Sequence, residues 1–233
     1  MIRLDQRLGA AFEMLRGADS VADIGCDHGK LTAALLLEGK CSRVIAADIS
    51  PDCLKKTEQI IRRYGLQDRA QVRLGSGLTV LSPGECAAAA ILGMGGELIA
   101  ELLMASPDVV KGMEKLVLQP MSGIEELRQW LYENSYHTVS DRIVCVGQRW
   151  YQLISVKKTE VTDLWPPGFP KDCWLVGYRS FTDRDPMLRP CCRELLDKRS
   201  TQLQRAAGTA GERKLAREAK QLEEIIEETG KWI

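Results

Sequence analysis

No run of about 18 apolar residues occurs in this sequence, so a membrane-spanning helix is not expected. Histidine is scarce: there are two in 233 residues. Eight cysteines are present, yet none forms a Cys-x-x-Cys pair. Cys191 and Cys192 are adjacent, which suits neither paired metal ligands nor an easy disulfide. No metal site is therefore expected. The cysteines read as small core residues of a reduced protein. The start, Met1-Ile2-Arg3-Leu4-Asp5-Gln6-Arg7, lacks the apolar core of a signal peptide. Together these absences point to a cytoplasmic chain with no membrane partner. Bulk charge is lacking too. Thirty-two Lys and Arg balance 32 Asp and Glu, so no overall positive field marks a nucleic-acid partner; only local patches can.

What is present suits one medium domain, or one domain with an appendage. The organising stretch is Val21-Ala22-Asp23-Ile24-Gly25-Cys26-Asp27-His28-Gly29-Lys30. An apolar run ends in a glycine loop, and a helical pattern follows at 30–38, closed by Gly39. A second apolar run ends in Asp48. Ser50-Pro51 opens the next helix as cap and first turn. Further strands are expected at 70–74, 87–92 and 115–119, with helices at 97–105 and from Ser122 or Gly123 to Asn134. Two strand-like runs, 142–146 and 150–156, have no room for a helix between them and read as an antiparallel hairpin. The result is an α/β, Rossmann-like fold: a mostly parallel seven-stranded sheet with an antiparallel closing hairpin. That ending is typical of class I methyltransferases that use S-adenosylmethionine.

Residues 1–158 are read as this domain and 159–185 as a linker free to pack on the core, since Trp165-Pro166-Pro167-Gly168-Phe169-Pro170 breaks regular structure. Residues 186–233 are read as a C-terminal helical hairpin or coiled coil. Leu215, Ala219, Leu222 and Ile226 form its narrow apolar stripe. Between Arg184 and Lys220 there are ten Lys or Arg against five acids. Either a solvated helix face or a basic arm gripping a phosphate backbone accounts for that excess.

The first loop carries the chemistry. Missing Cβ atoms at Gly25 and Gly29 allow close approach of a ligand. Asp48 is suited to accept from both ribose hydroxyls. The spacing is not Gly-x-Gly-x-x-Gly: position 27 is an acid, which would repel a pyrophosphate. Beside the sulfonium and ammonium of S-adenosylmethionine it would be favourable. His28 stands at the loop mouth, as structural residue or as proton handler. Gly93-Met94-Gly95-Gly96, after the fourth strand, offers bare backbone to a flat ring, or is simply a tight turn.

These residues resemble the bacterial tRNA (adenine 22-N1) methyltransferases. The likeness rests on Ala22-Asp23-Ile24-Gly25-x-Asp27-His28, Gly77-Leu78, Gly93-Met94-Gly95-Gly96-x-Leu98-Ile99-Ala100, Leu118-Gln119-Pro120, Leu127-Arg128-x-Trp130-Leu131 and Leu4-x-x-Arg7-Leu8. It covers 4 to about 156; the tail matches in architecture. The resemblance implies methyl transfer from S-adenosylmethionine to adenine N1 in the tRNA D-arm region, with tRNA as partner. It assigns Asp23, Gly25, Gly29, Asp48, Ile49, Gly75, Ser76, Gly77 and Gly93 to the cofactor. Asp27 and His28 are the expected catalytic pair. Arg7, Met94, Gly95, Gly96, Gln119, Pro120, Arg149 and Tyr151 are assigned to the substrate. Three positions depart from the family pattern: Ser76 for Asp, Met121 for Asn, and Gly147-Gln148-Arg149-Trp150-Tyr151 for acid-Gly-Lys-x-Tyr. The rival reading is a small-molecule methyltransferase whose hairpin serves dimerisation. The oligomeric state is left open, leaning to a monomer.

Overall fold

Apolar residues that leave no polar face fill the middle of a twisted sheet. The computed structural model describes residues 2–38, 41–159 and 165–232. Gly39, expected to close the second helix, lies outside them. The strands are β1 (Ser20–Ile24), β2 (Arg43–Asp48), β3 (Ala70–Leu74), β4 (Ala88–Gly95), β5 (Lys115–Ser122), β6 (Tyr136–Val146) and β7 (Arg149–Lys158). They form one seven-stranded sheet in the order β3-β2-β1-β4-β5-β7-β6. The first five run parallel, β7 is antiparallel to β5, and β6 pairs antiparallel with β7.

Side chains alternate between the two faces, as the strand period requires. Ala22, Ile24, Ile45, Ala89, Ile91 and Leu118 face α4 (Gly96–Met104), α5 (Pro107–Lys111) and α6 (Ile124–Glu133). Val21, Val44, Ala88, Ala90 and Val117 face α1 (Gln6–Met14), α2 (Lys30–Leu37) and α3 (Pro51–Arg63). A sheet covered on both sides explains why β1, β2 and β4 read as unbroken apolar runs. The caps follow local chemistry. Asp5 accepts from the Leu8 amide at 2.8 Å, and Ser50 accepts from Cys53 at 3.4 Å with Pro51 in the first turn.

The structure departs from the sequence expectation in the polar stretches. Strand β6 begins at Tyr136, six residues earlier than expected. The reason is a buried ion pair. Asp141, 2% exposed, meets Arg128 of α6 at 2.7 Å, and Arg128 also donates to Gln152 of β7 at 3.1 Å. Charged letters here mark the interior. Helix α5 escaped the sequence reading because it is only five residues long.

The stretch read as a linker is also bolted down. Gln152 donates to the Leu175 carbonyl at 2.8 Å, and the Ile143 amide donates to Asp185 at 3.1 Å. Within it a short helix forms, α7 (Tyr178–Thr182), beside a stack of Trp165 on Phe169.

Helices α8 (Leu188–Arg205) and α9 (Glu212–Gly230) pack on one another. Their root is a third apolar cluster: Leu188, Cys191, Cys192, Leu222 and Ile225 close on Ile143, Phe169 and Val176. Further out, Arg199 of α8 pairs with Glu125 of α6 and, at 2.7 Å, with Glu218 of α9. Lys214 joins both carboxylates. Burial, then the Glu218 charge, raises the Glu125 carboxyl, while Arg199 and Lys214 oppose the rise. Beyond this network the helices are mostly exposed.

All eight cysteines are unpaired, and six are buried. Among the described residues no helix is long and apolar enough to cross a membrane.

Root and tip of the hairpin should therefore differ in cost. Leu222→Ala, at a fully buried site, is expected to lower unfolding free energy by about 2–5 kcal/mol. Leu203→Ala, half-buried near the tip, should cost a small fraction of that. Equal midpoint shifts in urea would refute the distinction.

Candidate active site

The strand order reverses between β1 and β4, because β2 lies on one side of β1 and β4 on the other. That reversal opens a crevice at the carboxyl ends of the strands. A cleft of about 750 Å³ lies there. Asp23, Gly25, Asp27 and His28 line it from the end of β1, and Asp48 and Ile49 from β2. Gly75, Ser76 and Gly77 follow β3, and Gly93 and Met94 come from β4. Arg7 enters from α1 and Tyr151 from β7.

Three carboxylates define the inner wall. Asp23 is 4% exposed and ties β1 to α2: its Oδ2 accepts from the Thr32 hydroxyl at 2.6 Å and the Thr32 amide at 3.2 Å. Burial pushes its carboxyl up to about 6; the Thr32 bonds oppose the rise, and the charges of Asp48 and Asp27 add to it. Asp48 is aimed by two backbone amides, from Ser50 at 2.9 Å and Asp27 at 3.2 Å. Each oxygen keeps lone-pair capacity for a ribose hydroxyl.

Asp27 adopts a left-handed backbone, φ 49°, which Asp tolerates better than most residues. Its carbonyl accepts from the Thr57 hydroxyl of α3 at 3.2 Å. Its carboxylate meets His28 Nδ1 at 2.5 Å. Since a carboxylate only accepts, Nδ1 carries the proton. The same carboxylate lies 3.7 Å from the Cys53 thiol.

Part of the lining is apolar. Ile49, Leu98 and Met121 are 74%, 45% and 50% exposed and all line the cleft. Exposed apolar side chains around a concave polar site suit a flat ring ligand. Arg7 lies over the Tyr151 ring, 5.9 Å from its centroid, and donates to Gln119 at 2.9 Å.

Six expected residues do not line the cleft. Gln119 is fully buried: its Oε1 holds Arg7 and its Nε2 donates to the Pro120 carbonyl at 2.7 Å. It therefore acts on the site through Arg7. Pro120 is buried in β5 behind it. Gly95 belongs to β4, paired with Ser122 after a register shift, so the expected loop is largely strand. Gly96 is buried, and a Cβ there would meet the Gly123 carbonyl oxygen at 2.2 Å. Close packing of α4 on the start of α6 requires glycine, rather than any ligand. Gly29 has a similar explanation: at φ +65° a Cβ would lie 2.7 Å from Thr57 of α3. Arg149 is exposed at the hairpin end.

Asp5, Lys30 and Leu98 are among the lining residues to which the sequence assigned no role, and Met121, noted there only as a departure from the family pattern, lines the cleft as well. Leu98 lies two residues after Gly96 and Lys30 closes the stretch that begins at Val21, so position beside a glycine loop is the signal that marks them.

A parallel sheet closed by an antiparallel hairpin, with an acid-rich glycine loop at the reversal point, defines a Rossmann-like methyltransferase. A family model described as a methyltransferase domain matches residues 4–154, and the chain belongs to that family. A Bacillus subtilis protein named tRNA (adenine(22)-N(1))-methyltransferase is 34% identical over 153 residues, 66% of this chain and 64% of that protein. The chain thus matches just under two thirds of that relative's length. The crystal structure of the B. subtilis m1A22 tRNA methyltransferase superposes with a TM-score of 0.82 at 28% identity, covering 97% of this chain and 100% of that one. An M. capricolum homologue, solved with S-adenosyl-homocysteine, shares the fold with a TM-score of 0.77 at 18% identity, covering 97% and 98%.

The raised Asp23 carboxyl sets a pH dependence. Its ionised form is disfavoured by folding, so its contribution to stability is fully present below its ordinary value of 3.8 and is lost as pH rises through about 6. Relative to Asp23→Asn, the ligand-free protein should lose on the order of 3 kcal/mol of stability between pH 3.5 and pH 7. Urea titrations of both proteins across that range test it, and a constant difference would count against the assignment.

Proposed function

We propose that this protein transfers a methyl group from S-adenosylmethionine to N1 of adenine 22 in the D-arm region of tRNA. The observation that carries the reading is the end-to-end superposition, helical hairpin included, on an m1A22 tRNA methyltransferase. The 34% identity of the catalytic half to a protein of that name supports it. In this reading the protein is cytoplasmic and its partner is tRNA.

The residues fit the cofactor. Asp23, Asp27 and Asp48 gather negative charge on one wall, suited to a sulfonium and an ammonium and hostile to a pyrophosphate. Asp48 would hold the ribose, Ile49 would cover the adenine of the cofactor, and Ser76 would accept from its amino group. Gly25, Gly75, Gly77 and Gly93 leave room for backbone contact. When bound, S-adenosylmethionine supplies an electrophilic methyl group.

The chain's own task is alignment and proton handling. Adenine N1 has an in-plane lone pair, and methylation there leaves a cation until an N6 proton departs. Met94 and Tyr151, with Arg7 fixed by Gln119, would hold the base in line. Asp27 would accept from N6 and stabilise the developing charge, and His28, donating Nδ1–H to the same carboxylate, would position it. N1 lies on the Watson–Crick edge, so the adenine must leave its stack to react. The hairpin would then hold the remainder of the RNA.

Incubating the protein with labelled cofactor and bulk tRNA, then mapping the nucleosides, should yield 1-methyladenosine at position 22. Label confined to small metabolites would support the rival instead. Asp27→Ala should lower turnover by roughly 100-fold or more, while calorimetry finds cofactor affinity far less affected. Abolished cofactor binding would move Asp27 into the cofactor site.

A further inference from the structure

The cleft carries charge of both signs: Asp23 is buried at the end of β1, Asp48 is half-buried at the end of β2, and Asp27 stands exposed beside His28. Cations stand on the rim. Lys30, the first residue of α2, is exposed and lines the mouth. Lys56, exposed on α3, places Nζ 3.5 Å from His28 Nε2.

The contrast with neighbouring cations is instructive. On α3, Lys55 is paired with Asp52 at 3.1 Å and Arg62 with Glu58 at 3.3 Å, while Arg63 lies over the Tyr64 ring at 5.7 Å. Among the described residues, Lys56 has the His28 ring as its only polar contact, and Lys30 has no acidic partner. An ammonium only donates, so it meets the unprotonated Nε2. Two unpaired ammonium groups and an imidazole edge thus stand on one rim, immediately outside the acids that would hold a cationic cofactor. A polyanion attracted to this rim is kept from sliding inward by those acids.

We propose that Lys30 and Lys56, the latter positioned by the His28 ring, form a phosphate-binding lip that holds the RNA backbone beside the methylated nucleotide. The inference rests on the tRNA reading above. It assigns this rim a contact separate from the helical hairpin. The lip anchors the strand, and the apolar lining of Leu98 and Met121 receives the base.

The test is the salt dependence of binding to unmodified tRNA, measured by fluorescence titration. Wild type is compared with Lys30→Gln/Lys56→Gln and with the control Lys55→Gln. Each lost phosphate contact lowers the slope of log affinity against log salt by about 1. The double variant should therefore show a slope smaller by about 2 and roughly tenfold weaker binding at physiological salt. Calorimetry with S-adenosyl-homocysteine should give an unchanged affinity, and the control should match wild type. An unchanged slope in a double variant that still binds the cofactor product overturns the lip. If wild type neither binds nor methylates tRNA, the underlying reading fails first, and the lip with it.

Discussion

Asp23 is the constraint on which the site depends. A carboxylate at the end of the central strand, 4% exposed, is costly to keep ionised, and burial drives its carboxyl up to about 6. The fold tolerates it because Thr32 supplies two hydrogen bonds from the first turns of α2. Those bonds fix the angle between β1 and α2, and so the path of the loop between them. The loop then places the Asp27 amide on Asp48. Three carboxylates are thereby held on one wall, where mutual repulsion raises Asp23 further. A protein with no ligand for this wall would gain stability by losing one of the charges. Three acids on one wall suit a cationic ligand, as the proposed cofactor is.

The sheet explains why a single cleft collects so many distant residues. Five parallel strands deliver their carboxyl ends to one edge, and the reversal beside β1 leaves a gap there. Chain segments separated by more than a hundred residues meet at that edge, as Arg7 and Gln119 do at 2.9 Å. Asp23 and Asp48 occupy strand ends, apolar side chains come from α4, the tip of β5 and Ile49 just after β2, and lysines come from exposed helix faces.

Most of this was legible in the sequence because the parallel strands are covered on both faces and the loops follow in order. The glycine loop, Asp48, Gly75–Gly77 and Met94 announce themselves by position after apolar runs. Where the reading failed, polar or glycine residues served packing. Strand β6 starts ahead of the expected 142 because Asp141 is paired with Arg128 on another element, which its own neighbours in sequence do not show. Gly96 and Gly29 looked like ligand backbone, while their reasons are Gly123 and Thr57, distant in sequence. Gln119 looked substrate-facing because its position next to Pro120 says nothing of Arg7. The stretch around Trp165–Pro170, read as a linker free to pack on the core, has order that is aromatic and polar rather than periodic: Trp165 on Phe169, Phe169 against Phe181, Gln152 on Leu175.

The same seating bears on how the hairpin communicates with the cleft. Strand β7 alternates its side chains, so neighbours on it face opposite ways. Tyr151 lines the cleft beneath Arg7, while Trp150 turns to the other side and its indole N–H donates to Glu194 of α8. One peptide unit thus separates a cleft wall from a hairpin anchor. Glu125 provides a second anchor, since α6 holds both Arg199 and Lys214 through it. The hairpin is thus held by its apolar root on Ile143, by Glu125 of α6 and by Trp150 of β7, and the last of these adjoins the residue that backs Arg7. The orientation of α8 and the width of the cleft near Tyr151 are therefore mechanically linked, and a ligand spanning both surfaces would meet them as one body rather than as a tethered pair.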